Sequence, residues 1–236
     1  MNFLQKSKKI IAVATLLSGL ALFAGCGGQK AEEAISGTVS ASGSTALLPL
    51  LKPAQEEFHK KHEKVTVNIA GGGSFTGMNQ VAAGAVQIGN SDVNLPADFK
   101  DKGLVDNKVV VLPFVFIANK DVNVNNLSAE QYVNILTGKI TNWKEVGGKD
   151  QKITIIHRAK SSGSRATISE TVLKGANFTD NAIIQDSNGA VKTAIASTPG
   201  AIGYVDAPYA DDTIKILDFN GVKYSADAVI NGTYPV

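Results

Sequence analysis

The sequence has little cysteine, few aromatic residues and few charges, and no apolar run long enough to cross a membrane. Cysteine occurs once, which excludes a scaffold built on disulfides. Aromatic residues make up 6% and charged residues 19% of the 236 residues, against 44% apolar residues, which excludes a disordered chain and a coiled coil. One globular body or two small domains remain.

The charges nearly cancel, with 23 basic and 21 acidic residues. Lys6, Lys8 and Lys9 lie in a terminal segment that we expect to be removed, so the mature chain is close to neutral. A neutral chain has no overall electrostatic attraction to nucleic acid, and we predict no such partner. Any anion that it binds must be held by local geometry.

Residues 1–25 have the pattern of a secretory signal, because a basic start is followed by the mostly apolar run Ile10–Phe23 and then by small residues. The alternative is a transmembrane anchor, but a span needs about 20 apolar residues and this run is shorter. We therefore expect the protein to work outside the cytoplasm.

The single cysteine follows this segment directly. Phe23-Ala24-Gly25-Cys26 resembles a bacterial lipobox, in which the cysteine is lipidated, with acyl chains such as palmitate, and anchors the protein to the cell membrane. The alternative is ordinary cleavage that leaves Cys26 free. Residues 26–36 are small and polar, as in a flexible tether, and we expect the folded body to begin near Gly37.

Short apolar, β-branched runs alternate with helical patterns along the rest of the chain, which predicts an α/β fold. The predicted strands are Thr38–Ala41, Val65–Ala70, Val86–Ile88, Val109–Ala118, Ile153–Ile156, Ile202–Val205 and Ile214–Phe219. Ser128 with Gln131 predicts a capping box at the start of a helix that Gly138 can end. Asn220-Gly221 predicts a hairpin turn.

Four segments rich in glycine and hydroxyl residues each follow a predicted strand. They are Ser42–Ala46, Gly71–Gly77, Gly89–Asp92 and Arg158–Arg165. A strand end, a glycine-rich turn and a helix start together present backbone N–H groups and a positive dipole to an anion. Each segment alone is an ordinary cap or turn, but four in one chain favour an anion site.

Enzymatic sites are not supported by the same residues. Met78-Asn79 stand where a phosphate-binding P-loop needs Lys and Ser or Thr, and Ser74 lacks the last glycine of a G-x-S-x-G elbow. His59 and His62 lack the glutamate placement of a zinc motif. We predict no catalytic residue and no metal site.

The five motifs SGSTAL (42–47), GGGSFTG (71–77), IGNSD (88–92), R-x-x-S-S-G-S-R (158–165) and TPGAIGYV (198–205) resemble those of the phosphate-binding lipoproteins of bacterial high-affinity phosphate ABC transporters, in order and spacing. The resemblance implies a two-lobed periplasmic-binding-protein fold of type II, joined by crossover hinge strands at Val109–Ala118 and Ile202–Val205. Lobe one would take 37–113 and 204–236, and lobe two 114–203. It also implies a monomer that needs no cofactor and delivers phosphate to the membrane permease subunits.

The resemblance further implies a phosphate-binding set at positions where this chain keeps the family's motifs. That set is Ser44, Thr45, Ala46, Ser74, Asp92, Arg158, Ser162, Gly163 and Ser164. Thr45, Ser74, Ser162 and Ser164 would donate from hydroxyls, Ala46, Gly163 and Ser164 from backbone amides, and Arg158 from its planar guanidinium. Asp92 would accept a hydrogen bond from a phosphate that still carries a proton, which fully ionised sulfate cannot offer.

The chain departs from the family's pattern at two positions of the site: Phe75 stands in place of a small residue and Ser164 in place of threonine. Family members usually continue into a further helix beyond the position of Val236. Three other functions stay open: binding of another tetrahedral oxyanion such as sulfate or molybdate, phosphoester hydrolysis, and adhesion or signalling by a lipoprotein of this fold.

Overall fold

The computed structural model describes residues 35–235, which belong to one compact unit. The strands are β1 Gly37–Gly43, β2 Val65–Gly71, β3 Ile88–Asn90, β4 Phe114–Ala118, β5 Asn126–Leu127, β6 Thr154–Arg158, β7 Ile183–Gln185, β8 Ala201–Asp206 and β9 Lys215–Phe219. The α-helices are α1 Leu48–Lys61, α2 Ser74–Ala82, α3 Ala129–Leu136, α4 Gly163–Thr171, α5 Asn188–Ser197 and α6 Ala226–Ile230. Short 3₁₀ helices occupy Ala97–Lys102, Trp143–Val146 and Ala207–Tyr209.

The strands form two sheets, and the predicted α/β alternation is confirmed. The small sheet has the order β2-β1-β3 and is parallel, because each of its strands is followed by a helix or a long connection. The large sheet has the order β5-β9-β4-β8-β6-β7 and is mixed, with β4 antiparallel to both β8 and β9. The chain passes from the small sheet to the large one through residues 104–113.

The main hydrophobic core belongs to the large sheet. Phe116, Tyr132 and Phe219 stack their rings at its centre, with centroids 4.0 to 5.9 Å apart. Trp143 is fully buried and its indole N–H donates to the carbonyl of Gly200 at 3.0 Å. Aromatic stacking and a satisfied indole N–H make this half of the molecule a rigid support for the loops at its edge.

Local signals in the sequence placed several helix and turn boundaries correctly. The Ser128 side chain accepts from the Gln131 amide and the Gln131 side chain accepts from the Ser128 amide, so the predicted capping box begins α3. Gly138 follows that helix at φ +80°, which glycine adopts without strain. Asn220 and Gly221 both have positive φ, and one bridge joins Phe219 to Val222 across the predicted turn.

The predicted strand Val109–Ala118 is only half formed. Phe114–Ala118 is fully buried in the large sheet, whereas Val109, Val110 and Val111 belong to no strand and are exposed by 65%, 42% and 87%. An extended segment becomes a strand only when a neighbouring strand pairs with it, and none of the described residues pairs with Val109–Val111. The apolar run therefore predicts a longer strand than the one that forms.

The carboxy-terminal part of the chain also differs from the predicted division into lobes. Residues 204–236 were predicted with the small sheet, but β9 pairs with β4 and β5 of the large sheet. Ala228 and Tyr234 are buried in the core of the large sheet. Among the described residues, no helix is both long enough and apolar enough to span a membrane.

Candidate functional site

The four glycine- and hydroxyl-rich segments meet at one edge of the molecule because each follows the carboxyl end of a parallel strand. β1 ends at Gly43, β2 at Gly71, β3 at Asn90 and β6 at Arg158. Open α/β sheets bind ligands in the crevice outside these strand ends. The structure brings all nine predicted residues to this region, and eight of them are buried while Asp92 is partly exposed.

Asp92 joins the two sheets through hydroxyl groups. The Ser74 hydroxyl, at the start of α2, donates to Asp92 Oδ1. The Ser164 hydroxyl, in the first turn of α4, lies 2.8 Å from Asp92 Oδ2. Because Ser74 belongs to the small-sheet half and Ser164 to the large-sheet half, this carboxylate holds donors from both sides of the site.

Close backbone contacts accompany these bonds. The Phe75 amide donates to the Ser161 carbonyl at 3.1 Å. The phenylalanine at this position, where the family has a small residue, therefore does not prevent this backbone bond. A Cβ atom on Gly163 would lie 2.0 Å from Asp92 Oδ1, and one on Gly73 would lie 2.4 Å from the Ser161 carbonyl oxygen. The two sides can approach this closely only because both positions are glycine.

Thr45 is held so that its hydroxyl hydrogen is left to donate. Its Oγ1 accepts from the backbone amide of Asn188 at 3.2 Å and from the Asn188 side chain at 3.1 Å. The Tyr209 hydroxyl donates to the Thr45 carbonyl at 2.5 Å. An oxygen that accepts two hydrogen bonds directs its own hydrogen elsewhere, which suits a group that binds an anion.

The Ala46 amide is engaged within its own loop, whereas the Ser162 hydroxyl accepts a capping bond and keeps its hydrogen to donate. The Ala46 amide donates to Ser44 Oγ at 3.1 Å, so this amide and this hydroxyl form a local turn. Ser162 caps α4, with its Oγ accepting from the Arg165 amide at 3.2 Å. The amides of Gly163 and Ser164 begin α4 and so have no acceptor within the helix, which leaves them available to an anion.

Arg158 supplies the cation of the site. Its side chain is 1% exposed, and Nη2 donates to the carbonyl of Asp186 at 2.9 Å. Its Nε and Nη1 have no hydrogen-bond partner within residues 35–235. Burial lowers the pKa of Arg158 and Asp92 raises it, but a guanidinium keeps its charge in proteins. Two unpaired buried donors on a cation fit an anionic oxygen pair.

Arg165 contacts the backbone of Arg158. Its Nη1 donates to the Arg158 carbonyl at 3.2 Å and lies 2.6 Å from His157 Nδ1. The Arg165 guanidinium lies 4.4 Å from the centre of the Phe178 ring. Burial lowers the pKa of His157 to about 4, so the imidazole is neutral, and its Nδ1 also lies 3.0 Å from the Arg158 carbonyl oxygen.

Sequence reasoning missed a second carboxyl group at the site. Asp206 ends β8 with its side chain fully buried, and its Oδ2 lies 3.2 Å from Ser164 Oγ. Burial raises the pKa of Asp206 to about 7, and the neighbouring Asp92 adds to the rise. Asp206 directly follows the motif at 198–205, so its position at a strand end was the available signal.

Asn188 and Tyr209 were missed as well, because single polar residues in a helix start and a short 3₁₀ helix carry no motif. Both contact Thr45 from the large-sheet half. Within residues 35–235, no cluster of three or more His, Cys, Asp or Glu side chains could hold a metal ion. The site consists of hydrogen-bond donors near the Arg158 guanidinium, together with the carboxyl groups of Asp92 and Asp206.

Comparisons with known proteins identify relatives of the chain. Residues 28–236 match the model of the PBP superfamily domain. The chain is 41% identical to the phosphate-binding protein PstS of Bacillus subtilis, over 98% of this chain and 82% of that protein. It is 30% identical to the phosphate-binding protein PstS of Borreliella burgdorferi, over 97% of this chain and 84% of that protein.

Solved structures give the same result. A putative phosphate ABC transporter substrate-binding protein from Clostridium perfringens, solved with bound phosphate, superposes with a TM-score of 0.81 at 33% identity. The match covers 85% of this chain and 83% of that one. An ABC-type phosphate transport receptor from Vibrio cholerae superposes with a TM-score of 0.65 at 26% identity, over 84% and 82% of the two chains.

Proposed function

The chain belongs to the PBP superfamily and, within it, to the phosphate-binding PstS proteins, and on this premise we propose that it captures inorganic phosphate outside the cytoplasm for an ABC-type phosphate permease. It is a binding protein and not an enzyme, and phosphate is its ligand without any cofactor. The observation that carries the proposal is the buried Arg158, whose Nε and Nη1 are unpaired among the described residues. Its charge interacts with Asp92, the carboxyl group on which the hydroxyls of Ser74 and Ser164 converge.

Phosphate binding would replace the hydrogen bonds that Asp92 accepts in the ligand-free site. The hydroxyls of Ser74 and Ser164 would donate to phosphate oxygens in place of the Asp92 carboxylate. Arg158 would contact the ligand through Nε and Nη1, and the amides of Gly163 and Ser164 would add the partial charge of a helix start. The Thr45 hydroxyl would donate from the small-sheet half.

Asp92 would then select the ligand. An ionised carboxylate accepts a hydrogen bond from a phosphate that still carries a proton. Sulfate has no proton to offer near neutral pH, so the same carboxylate would face it unpaired and with like charge, which costs binding energy. We therefore assign Asp92 the discrimination between phosphate and sulfate, and we rank sulfate and molybdate behind phosphate.

We further propose that the two sides of the site act as lobes that close over phosphate. Support comes from the bonds between Ser164 and Asp92 and between Phe75 and Ser161, which join the sides. Cys26, which lies outside the described residues, would carry the lipid, and 26–36 would form the tether. The protein would thus work as a monomer at the membrane surface, where it presents phosphate to the permease subunits.

The test is calorimetric titration of phosphate and of sulfate into purified protein that has been unfolded and refolded to remove retained ligand. We expect tight phosphate binding, no response to sulfate, and loss of phosphate binding in Arg158→Ala. Lys160→Ala, an exposed cation two residues away, is the matched control and should bind phosphate normally. A folded protein that binds neither anion would overturn the proposal and favour the adhesion or signalling function.

A further inference from the structure

The hydroxyl of Ser164 lies within hydrogen-bond distance of two carboxyl groups. Its Oγ is 2.8 Å from Asp92 Oδ2 and 3.2 Å from Asp206 Oδ2. A serine hydroxyl carries one hydrogen and can donate it fully to only one of them. The other contact is a full hydrogen bond only if that carboxyl carries a proton and donates to Ser164 Oγ.

Burial decides which carboxyl carries the proton. Asp206 is fully buried, and its Oδ1 has no hydrogen-bond partner in the described part of the chain. Asp92 is partly exposed and accepts from Ser74 as well. An ionised Asp206 would be a buried charge with an unsatisfied oxygen, which costs more than a neutral acid at the same place.

We propose that Asp206 is a positioning residue of the anion site, whose protonated carboxyl donates to Ser164 Oγ and so directs the Ser164 hydrogen toward the ligand. The inference rests on the proposed function for the identity of that ligand, inorganic phosphate. A chain of donors then runs from the Asp206 O–H to Ser164 Oγ and from the Ser164 O–H to a phosphate oxygen. When Asp206 loses its proton, Ser164 turns its hydrogen to Asp206 and phosphate loses a donor.

The groups that face Asp206 come from several elements. Asp92 lies in the loop after β3 and Arg158 at the end of β6, and their opposite charges raise and lower the pKa of Asp206 respectively. Tyr204 in β8 and Tyr209 in the 3₁₀ helix stay neutral, because burial raises the pKa of both.

Two neutral polar groups complete these surroundings. Ser164 in α4 and Asn188 in α5 both lower the pKa of Asp206 by hydrogen bonding. Burial and Asp92 raise the pKa of Asp206 by more than Ser164, Asn188 and Arg158 lower it, so this carboxyl titrates near neutral pH.

The consequence is a pH dependence of phosphate binding that belongs to Asp206. Above the pKa of Asp206, phosphate must bind together with a proton from solvent. Its affinity then falls by up to about tenfold for each further pH unit. A bound anion raises the pKa of the nearby carboxyl further, which favours the proton in the complex. Phosphate also ionises near neutral pH, so a variant is needed to separate the two titrations.

The variant is Asp206→Asn, whose amide N–H₂ can still donate to Ser164 Oγ but cannot ionise. We expect the ratio of its phosphate affinity to that of the unmodified protein to rise between pH 7 and pH 9 by up to about tenfold per pH unit. Calorimetry in two buffers of different ionisation enthalpy should show less proton uptake in this variant. Asp218→Asn, a partly buried carboxyl in β9, is the matched control and should follow the unmodified protein.

Ser164→Ala separates positioning from simple charge repulsion. If Asp206 acts through Ser164, then Asp206→Asn should change the pH profile much less in a Ser164→Ala background. A pH profile that Asp206→Asn leaves unaltered, or alters equally in both backgrounds, would overturn the positioning role.

A ligand-free measurement keeps this inference distinct from the proposed function. The infrared band of a protonated carboxyl should be present at pH 6 in the phosphate-free protein and absent in Asp206→Asn. Absence of that band in the unmodified protein would refute the protonated Asp206. A folded protein that shows the band but binds no phosphate would refute the proposed function alone and leave the Asp206 proton established.

Discussion

Residues at the anion site divide into donors and carboxyl groups, and the carboxyl groups carry its selectivity. Arg158, the hydroxyls and the start of α4 attract any tetrahedral oxyanion. Asp92 and Asp206 are both within reach of Ser164, and their protonation decides where its hydrogen points. The donors could be anticipated from motifs, whereas Asp206 could not, because its role depends on burial and on a contact between residues 42 positions apart.

Replacing Asp92 with asparagine tests the discrimination between anions. Asp92→Asn removes the acceptor for the phosphate proton and offers an amide N–H to sulfate, so phosphate affinity should fall by about tenfold or more while sulfate binding becomes measurable. Competition titration with both anions at pH 7 gives the ratio. Asp98→Asn, an exposed carboxyl after β3, is the control, and an unchanged ratio in Asp92→Asn would refute the assignment.

Asp206 should also affect stability in the absence of ligand. In the unfolded chain its carboxyl ionises near a pKa of about 4, whereas the folded protein raises this pKa to about 7. Between these values unfolding releases a proton, so this group's stabilisation is full below pH 4, declines as the pH rises, and is lost above pH 7.

Asp206→Asn should remove that decline. Relative to the unmodified protein, its free energy of unfolding should rise by up to about 1.4 kcal/mol per pH unit from pH 4 to pH 7. Above pH 7 the difference should stay constant. Urea unfolding in phosphate-free buffer measures the difference. Parallel stability curves for the two proteins would contradict the raised pKa.

Elements determine the site through where strands end and helices begin. Runs of β-branched residues predicted the strands whose carboxyl ends carry the four segments, because apolar patterning is a local signal. Val109–Val111 has the same patterning and is not a strand, because pairing depends on a neighbour that the pattern cannot supply. The capping box of α3 was predictable because both partners lie within three residues.

A substitution at the start of α4 tests how closely the two sides of the site must approach. Gly163→Ala would place a Cβ 2.0 Å from Asp92 Oδ1 and 2.5 Å from Ser74 Oγ, so the two sides of the site could not approach. Phosphate affinity should fall by about five- to 150-fold, since overpacking costs about 1–3 kcal/mol. Gly189→Ala in the first turn of α5 is the control, because the nearest atom outside its own helix, Tyr209 Cε1, would lie 3.9 Å from its Cβ. Equal affinities in both variants would contradict close approach.

The described part of the molecule consists of a small-sheet half and a large-sheet half that contains the main core. Alternation predicted the α/β class and the family resemblance implied two lobes, but neither predicted that residues 204–236 would join the large sheet. That assignment depends on β9 pairing with β4 across about 100 residues of sequence, which no local pattern encodes. Motif resemblance identified the family because the site's residues are local, whereas sheet membership is not.

Ligand binding that joins the two halves should stabilise the whole fold. Phosphate at 100 times its dissociation constant should raise the free energy of unfolding by about 2.7 kcal/mol, since only the folded state binds it. Sulfate at the same concentration should add much less. Denaturant unfolding with each anion measures this, and equal stabilisation by both would indicate a general salt effect instead of binding at the site.

The most direct test of the central claim is a crystal structure of the protein grown with phosphate after ligand removal. We expect one phosphate at the carboxyl ends of β1, β2, β3 and β6. Arg158 Nε and Nη1, Ser74 Oγ and Ser164 Oγ should donate to its oxygens, and Asp92 should accept a hydrogen bond from its protonated oxygen. Phosphate bound elsewhere, or a site in which Ser74 and Ser164 still donate to Asp92 at saturating phosphate, would contradict the proposed binding site.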